Sequence, residues 1–185
     1  MLITIYKNAK RLQRLIEDIL DITRIESQTL KLNKEEINLN EKIRNVINDL
    51  KTQIHNPDKL KIVFLEPKKK PIYVKADKVR IYQVIANLLN NAMKFTEEGT
   101  ISVLADVKAN DEAIITIKDT GTGVDAEIMP RLFTKFAARS ITGTGLGLFI
   151  CKSIVDAHDG KIWAENNSNG KGATFGFSLP LKAIE

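Results

Sequence analysis

Asn87, Asn91 and Lys94 are spaced i, i+4 and i+7. In an α-helix those positions share one face. Leu88, Leu89 and Ala92 fall on a different arc and can supply core contacts. A buried amide without a partner costs about 1–3 kcal/mol. Two amides and an ammonium in one row therefore fit a polar ligand or a wet cleft. A solvated helix face is the other reading. Two glycine-spaced segments follow, Asp119-Thr120-Gly121-Thr122-Gly123 and Gly143-Thr144-Gly145-Leu146-Gly147. Asp119 ends a strand-like run, and a carboxylate only accepts hydrogen bonds. It reads as a plain turn after a strand or as an acceptor at the base of a cleft. The second segment precedes a long apolar helical run. Glycines let backbone N–H groups approach an anion, and a helix N-terminus favours negative charge. That chemistry is phosphate binding; a flexible loop entering a helix is the alternative. The spacing is neither that of a dinucleotide fold nor that of a P-loop.

The elements that must position these residues can be read along the chain. Residues 2–29 form one helix without Pro or Gly, with Leu2, Ile5, Ala9, Leu12, Ile16, Ile19 and Thr23 in a heptad seam. Leu15, Leu20, Ile22 and Ile25 widen that stripe to the breadth of a bundle helix. A helix with so wide a stripe needs a partner, most simply from a second copy; the other reading is a helix packed back on its own domain. An extended piece follows at Leu30–Asn33, then a helix capped by Asn38 or Asn40 and ending near Gln53. Strand-like runs cover Lys61–Leu65 and Ile72–Val74. Asp77 caps the helix that carries Asn87 to Lys94, which ends near Thr96. Strands at Thr100–Val107 and Ala113–Lys118 flank a turn. A short helix is expected over Ala126–Phe133 and a long one over Gly145–His158. The last strands, Lys161–Glu165 and Thr174–Leu179, enclose the turn Asn167–Gly172. The expected class is α+β, a mixed sheet with helices mainly on one face, behind a helical appendage. The division falls at residues 1–30 and 31–185.

Composition narrows the function classes. The chain has 185 residues, 43% of them hydrophobic, and a formal net charge of +5, which suits one medium domain and an appendage. Lys68-Lys69-Lys70 is the one tight basic run, too little for a nucleic-acid surface, and no nucleic acid is expected. Cys151 is the single cysteine, which excludes a disulfide framework and a thiolate metal cluster. The two histidines, His55 and His158, exclude a His-rich zinc site. No run approaches the roughly 20 apolar residues of a membrane span, and no signal-peptide pattern opens the chain. This piece reads as soluble, cytoplasmic and without membrane contact, alone or as the cytoplasmic part of a membrane-anchored sensor.

Asn87–Phe95, Asp119–Gly123 and Gly143–Gly147, in this order, resemble the N, G1 and G2 boxes of the sensor histidine kinases, within the wider GHKL group of ATP-binding proteins. Phe133 and Phe136 resemble its F box. Asp18–Ser27 resembles the second helix of the kinase dimerisation hairpin. The resemblance covers about residues 10 to 180. It implies the GHKL ATP-binding sandwich and the cofactors ATP and Mg²⁺. Asp119 would accept the amino N–H of adenine, which guanine does not offer there. Thr174 would help hold a water beside it, and Phe95 would stand near the base. Gly121 and Gly123 would shape that pocket. Asn91 would be the single protein ligand of Mg²⁺, with Asn87 and Lys94 toward phosphate. Thr142, Gly143, Thr144, Gly145, Leu146 and Gly147 would cradle phosphate. The lid, Ala137–Thr142, has Ala138 where many relatives have Arg, and Arg139 next to it is the candidate replacement.

The family's phosphoacceptor histidine has no match in this sequence. His55 lies beside a turn, and His158 at a helix end reads as structural. The resemblance thus implies the ATP-binding part of a histidine protein kinase, transferring the γ-phosphoryl group to a histidine outside this chain. It also implies a homodimer through the N-terminal helix and a response regulator as partner. Two rivals stand beside it: a GHKL protein-serine kinase of the anti-sigma type, and a nucleotide-dependent binding module without phosphoacceptor chemistry.

Overall fold

The structure, a computed structural model, describes residues 2–54, 56–66, 71–108, 111–137, 144–168 and 170–181, without the side chains of residues 2–4, 6, 7 and 11. His55, the Lys68–Lys70 run and the lid residues 138–143, with Arg139, Thr142 and Gly143, lie outside that description.

The chain opens with α1 (Leu2–Glu26), followed by β1 (Glu35–Asn38), α2 (Leu39–Lys51), β2 (Leu60–Leu65), β3 (Tyr73–Ala76) and α3 (Lys78–Phe95). It continues through β4 (Gly99–Lys108), β5 (Glu112–Lys118), α4 (Gly147–Ala157), β6 (Lys161–Asn166) and β7 (Ala173–Pro180). The main sheet has the strand order β2-β4-β5-β7-β6. β2 and β4 run parallel, and the other neighbours are antiparallel. β1 and β3 form a separate antiparallel pair. This is the expected mixed α+β sandwich.

One face of the sheet carries the core. Val103 pairs with Ile117, Ile117 with Phe175, and Ile115 with both Ala105 and Phe177, all of them buried. Strand alternation puts these residues on the same side. Ile43, Val46, Ile47 and Leu50 of α2, Ile81, Val84, Ile85, Leu88 and Leu89 of α3, and Ile150 and Ile154 of α4 cover them. Each such side chain contributes about 1.5–3 kcal/mol by burial. Two side-chain caps start the helices: Asn38 accepts from Glu41 N–H, and Asp77 from the N–H groups of Val79 and Arg80. Asn40, the other candidate cap of α2, is buried and accepts from Ile72 N–H instead.

Four local expectations need correction. No strand forms at Leu30–Asn33; the chain pairs five residues later, at Glu35–Asn38. Only Met129–Arg131 makes a helical turn, of 3₁₀ type, in place of the helix expected over Ala126–Phe133, with Pro130 in it lacking an N–H to extend the ladder. α4 starts at Gly147, not Gly145. α1 stops at Glu26 because Gln28 turns left-handed, φ 55°. Thr29 N–H then reaches Arg24 O and Gln28 N–H reaches Ile25 O, the helix-closing pattern that glycine usually serves.

α1 presents two faces. Asp21, Ile22 and Ile25 pack toward the α/β unit, where Arg80 donates to both oxygens of Asp21 at 2.8 and 2.9 Å and Gln83 donates to one of them. Glu26 pairs with Lys135. Ile5, Leu12, Ile16 and Ile19, the heptad seam, are all at least half exposed on the opposite side.

Candidate functional site

α3 is the spine of the site. Near its middle, Asn87 faces the start of α4: its Nδ2 would lie 3.7 Å from a Cβ on Gly147. At its end, Phe95 O accepts from Thr122 N–H at 3.2 Å. A Cβ on Gly121 would stand 2.1 Å from that same oxygen, so only glycine lets the loop after β5 pass the helix end this closely. The two anchors are eight residues apart, about 12 Å along the axis. Asn91 lies between them on the same row and is half-buried. Lys94 is exposed and stacks over the Phe95 ring at 5.1 Å, and Phe95 is itself exposed. The buried arc is the one read from the sequence: Leu88, Leu89 and Ala92.

The Asp119 corner is buried. Asp119 Oδ1 accepts from Gly121 N–H at 2.9 Å and Ala173 N–H at 3.2 Å. Gly172, φ 77°, approaches Asp119 so closely that a Cβ would sit 2.1 Å from its carbonyl oxygen. Gly123, φ 76°, lets the chain turn beside Asn166, whose amide pairs with both Val124 N–H and Val124 O. Thr174 donates its hydroxyl to Asn167 Oδ1 at 2.7 Å. Asn167 was missed by the sequence reading, which saw in it only the first residue of a turn. Its role depends on the β5–β7 pairing, and no local pattern announces that.

The loop before α4 is held from two sides. Thr144 Oγ1 accepts from Leu146 N–H at 3.3 Å and donates to Asp18 Oδ2 at 3.1 Å. Leu146 itself points into the core. Burial pushes the Asp18 carboxyl above its ordinary range, and the Thr144 hydroxyl partly offsets this. Gly145, φ 69°, offers its carbonyl to Phe136 N–H at 3.0 Å, and Phe136 is also left-handed, φ 59°. Phe133 packs against the core, whereas Phe136 is 72% exposed.

The remaining titratable groups here are structural. Burial pushes the Cys151 thiol up to about 12, so it is an inert core thiol at neutral pH. His158 is buried; its Nε2 accepts from Asp77 N–H at 2.9 Å, which puts its proton on Nδ1, facing Ile154 O at 2.8 Å. Burial lowers its pKa. Among the described residues, no group of three His, Cys, Asp or Glu could hold a metal ion, and no helix is long and apolar enough to cross a membrane.

The geometry brings together in one α+β sandwich a helix with an amide row, a buried carboxylate behind a glycine turn, and a glycine-led helix start. Residues 76–183 match the family of histidine kinase-, DNA gyrase B- and HSP90-like ATPases, and the chain belongs to that family. Solved histidine kinases share the fold. The histidine kinase AdeS of Acinetobacter baumannii is 26% identical, with TM-score 0.79, over 97% of this chain and 83% of that one. The catalytic domain of ThkA is 34% identical, with TM-score 0.72, over 80% and 96%. ThkA in complex with the response regulator TrrA is 29% identical, with TM-score 0.74, over 94% and 49%. Full-length ShkA in complex with AMPPNP is 26% identical, with TM-score 0.83, over 96% and 37%. The chain is thus an ATP-binding catalytic part of a histidine kinase, and it spans less than half of the last two proteins.

Proposed function

We propose that this chain binds ATP with Mg²⁺ in the cleft between α3, the loop after β5 and the start of α4. It then transfers the γ-phosphoryl group to a histidine on a segment outside the chain. The observation that carries this reading is the placement of α3, with Asn87 beside Gly147 and Phe95 beside Gly121. Asp119 accepts the adenine amino group, and Phe95 borders the base between Gly121 and Gly123. Asn87 and Lys94 face the phosphates. Thr144, Gly145, Leu146 and Gly147 line the phosphates, joined by Arg139, Thr142 and Gly143.

The donor set fits magnesium. Asn91 offers one amide oxygen, as suits an ion that keeps phosphate and water oxygens. When bound, the ion neutralises charge on the phosphates. The residues of the chain orient the nucleotide, and phosphoryl transfer depends mainly on such positioning.

Residues 1–30 serve as one helix of a dimerisation bundle and residues 31–185 as the catalytic domain. The exposed seam of Ile5, Leu12, Ile16 and Ile19 supports a homodimer completed by a further hairpin helix. A response regulator is the downstream partner, by likeness to ThkA, solved in complex with one. Cytoplasmic ATP is the matching supply.

The test uses γ-labelled ATP with this chain and a separately supplied dimerisation segment carrying an acceptor histidine. Acid-labile, base-stable label is expected on the supplied segment and not on the chain. ATP binding without transfer would reduce the reading to a nucleotide-dependent binding module. Label on the chain itself would redirect attention to His55, since His158 is buried.

A further inference from the structure

Asn166, the last residue of β6, holds one residue of the loop after β5 with both ends of its amide. Its Oδ1 accepts from Val124 N–H at 2.8 Å, and its Nδ2 donates to Val124 O at 2.8 Å. An N–H needs the oxygen and a carbonyl needs the NH₂, so the amide has one orientation. The side chain does what a neighbouring strand would do, at a place where β5 has already ended. Gly123 leaves room for it: a Cβ there would stand 3.0 Å from Asn166 Oδ1 and 3.4 Å from Gly172 O. The start of the loop is tied to the same hairpin. Asp119 Oδ1 accepts from Ala173 N–H, and Asp119 O accepts from Asn167 Nδ2 at 2.8 Å. Asn166 pairs with Ala173, on the side of the sheet that Asp119 faces. Thr174, expected beside Asp119, pairs with Lys118 and Glu165 on the opposite side and does not reach that corner. The β6–β7 hairpin thus holds the loop at both ends, while Phe95 O holds its middle through Thr122 N–H.

We propose that Asn166 is a positioning residue for nucleotide binding, the mount that keeps the loop after β5 in its binding shape. The inference deepens the reading above and rests on it, since that reading sets the base against Asp119 and this loop. Gly121 N–H and Ala173 N–H both go to Oδ1 of Asp119. They fix the rotation of the carboxylate and leave its other oxygen to the base. Gly121 stands three residues before Val124, so a loop released at Val124 can carry Gly121 N–H off the carboxylate. Asn166 is itself exposed, and truncating an exposed side chain costs a fold little. Its loss should therefore be felt in the loop more than in stability. Because the loop serves the base end of the nucleotide, ATP and ADP should suffer alike, and the magnesium and γ-phosphoryl ends should not.

The experiment measures dissociation constants of ATP and ADP by calorimetry on the full chain and on Asn166→Ala, in magnesium and in chelator, each after a melting curve without nucleotide. Asn166→Ala should weaken both nucleotides by the same factor, about three- to tenfold, the scale of one neutral hydrogen bond. The melting temperature should barely move, and the magnesium-dependent share of ATP affinity should persist. In transfer to a supplied acceptor segment, KM for ATP should rise by the same factor while kcat holds. Amide exchange without nucleotide should quicken at Gly121 as well as at Val124. A residue that only pins the hairpin would lower the melting temperature and leave affinity and Gly121 exchange alone. Unchanged affinity in folded Asn166→Ala, a loss confined to ATP, a fall in kcat at constant KM, or Gly121 exchange that stays slow overturns the proposal. If Asn166→Ala does not fold, Asn166→Asp decides. It keeps an acceptor for Val124 N–H but sets a carboxylate oxygen against Val124 O, so both nucleotides should again bind more weakly; affinity equal to that of the unmodified chain overturns the proposal. Failure of the unmodified chain to bind ATP is a separate outcome, one that removes the functional reading and this proposal with it.

Discussion

Thr144 donates its hydroxyl to Asp18 at 3.1 Å, across 126 residues of sequence. One end of this bond is on the N-terminal helix, the other in the glycine loop before α4. The same hydroxyl oxygen accepts from Leu146 N–H, so the contact reaches the backbone that starts α4. The helix and the proposed phosphate loop are thereby joined by side chains rather than by chain connectivity. The buried Asp21–Arg80–Gln83 set lies one turn further along α1 and fixes the same face.

That bond should be measurable as a coupling. Asp18→Ala and Thr144→Val are each expected to destabilise the folded chain by about 0.5–1.5 kcal/mol, the net worth of an ordinary hydrogen bond. The double variant should lose less than the sum, because the partners share one interaction. Strict additivity in denaturant titrations would show that they act independently.

Stability should respond to pH through His158. The folded pKa lies below the ordinary 6.5, mainly because of burial, so the unfolded chain takes up the proton first as pH falls. The neutral ring's contribution is complete above pH 6.5 and is lost between there and the lower folded value. The slope for one proton is at most about 1.4 kcal/mol per pH unit. Protonation also ends acceptance from Asp77 N–H, which ties the end of α4 to the start of α3. Denaturation midpoints should fall between neutral and mildly acidic pH, and His158→Gln should flatten that part of the curve. An equally steep curve in the variant would assign the effect to other groups.

Two glycines should differ sharply. Gly121→Ala forces a Cβ to within 2.1 Å of Phe95 O, so the loop and the helix end must separate. A cost of about 1–3 kcal/mol is expected, together with weaker ATP binding. Gly170, φ 74°, has nothing within 4 Å of its Cβ position, and Gly170→Ala should cost only the left-handed strain of about 1–2 kcal/mol. Calorimetry should find nucleotide affinity reduced in the first variant and retained in the second. Equal affinities would mean that the Gly121–Phe95 approach does not shape the site.

These contrasts also mark what the sequence could express. α3 was legible because one short window holds its cap, its apolar period and its amide row: Asp77, then Leu88 and Leu89, then Asn87 and Asn91. β1 was not, since Glu35-Glu36-Ile37-Asn38 buries only Ile37 and owes its strand form to pairing with β3. The end of α1 was hidden because Gln28 does the work of a glycine. Nothing in the residues around Asp21 signals its burial, which comes from Arg80, 59 residues away. Asn167 and Asp18 share that difficulty. Their partners are set by sheet register and helix docking, which no local spacing encodes.

Metal ligation at Asn91 can be separated from helix-face packing by its neighbour. Both Asn90 and Asn91 are half-buried on α3, but they differ by about 100° around the axis. Asn91 shares the row of Asn87, which faces Gly147; Asn90 does not. If Asn91 gives an oxygen to magnesium, Asn91→Ala should remove the magnesium-dependent part of ATP affinity and abolish transfer to a supplied acceptor. Asn91→Asp keeps an oxygen but adds a charge that the phosphates repel, so ATP binding should weaken there too. Asn90→Ala should alter neither the metal dependence nor the transfer. Melting curves must come first, since an unfolded variant imitates a lost ligand. Titrations with ATP in magnesium and in chelator then isolate the metal's share. Should Asn90→Ala erase that share while Asn91→Ala preserves it, the amide row along α3 would have to be assigned to the other face of the helix.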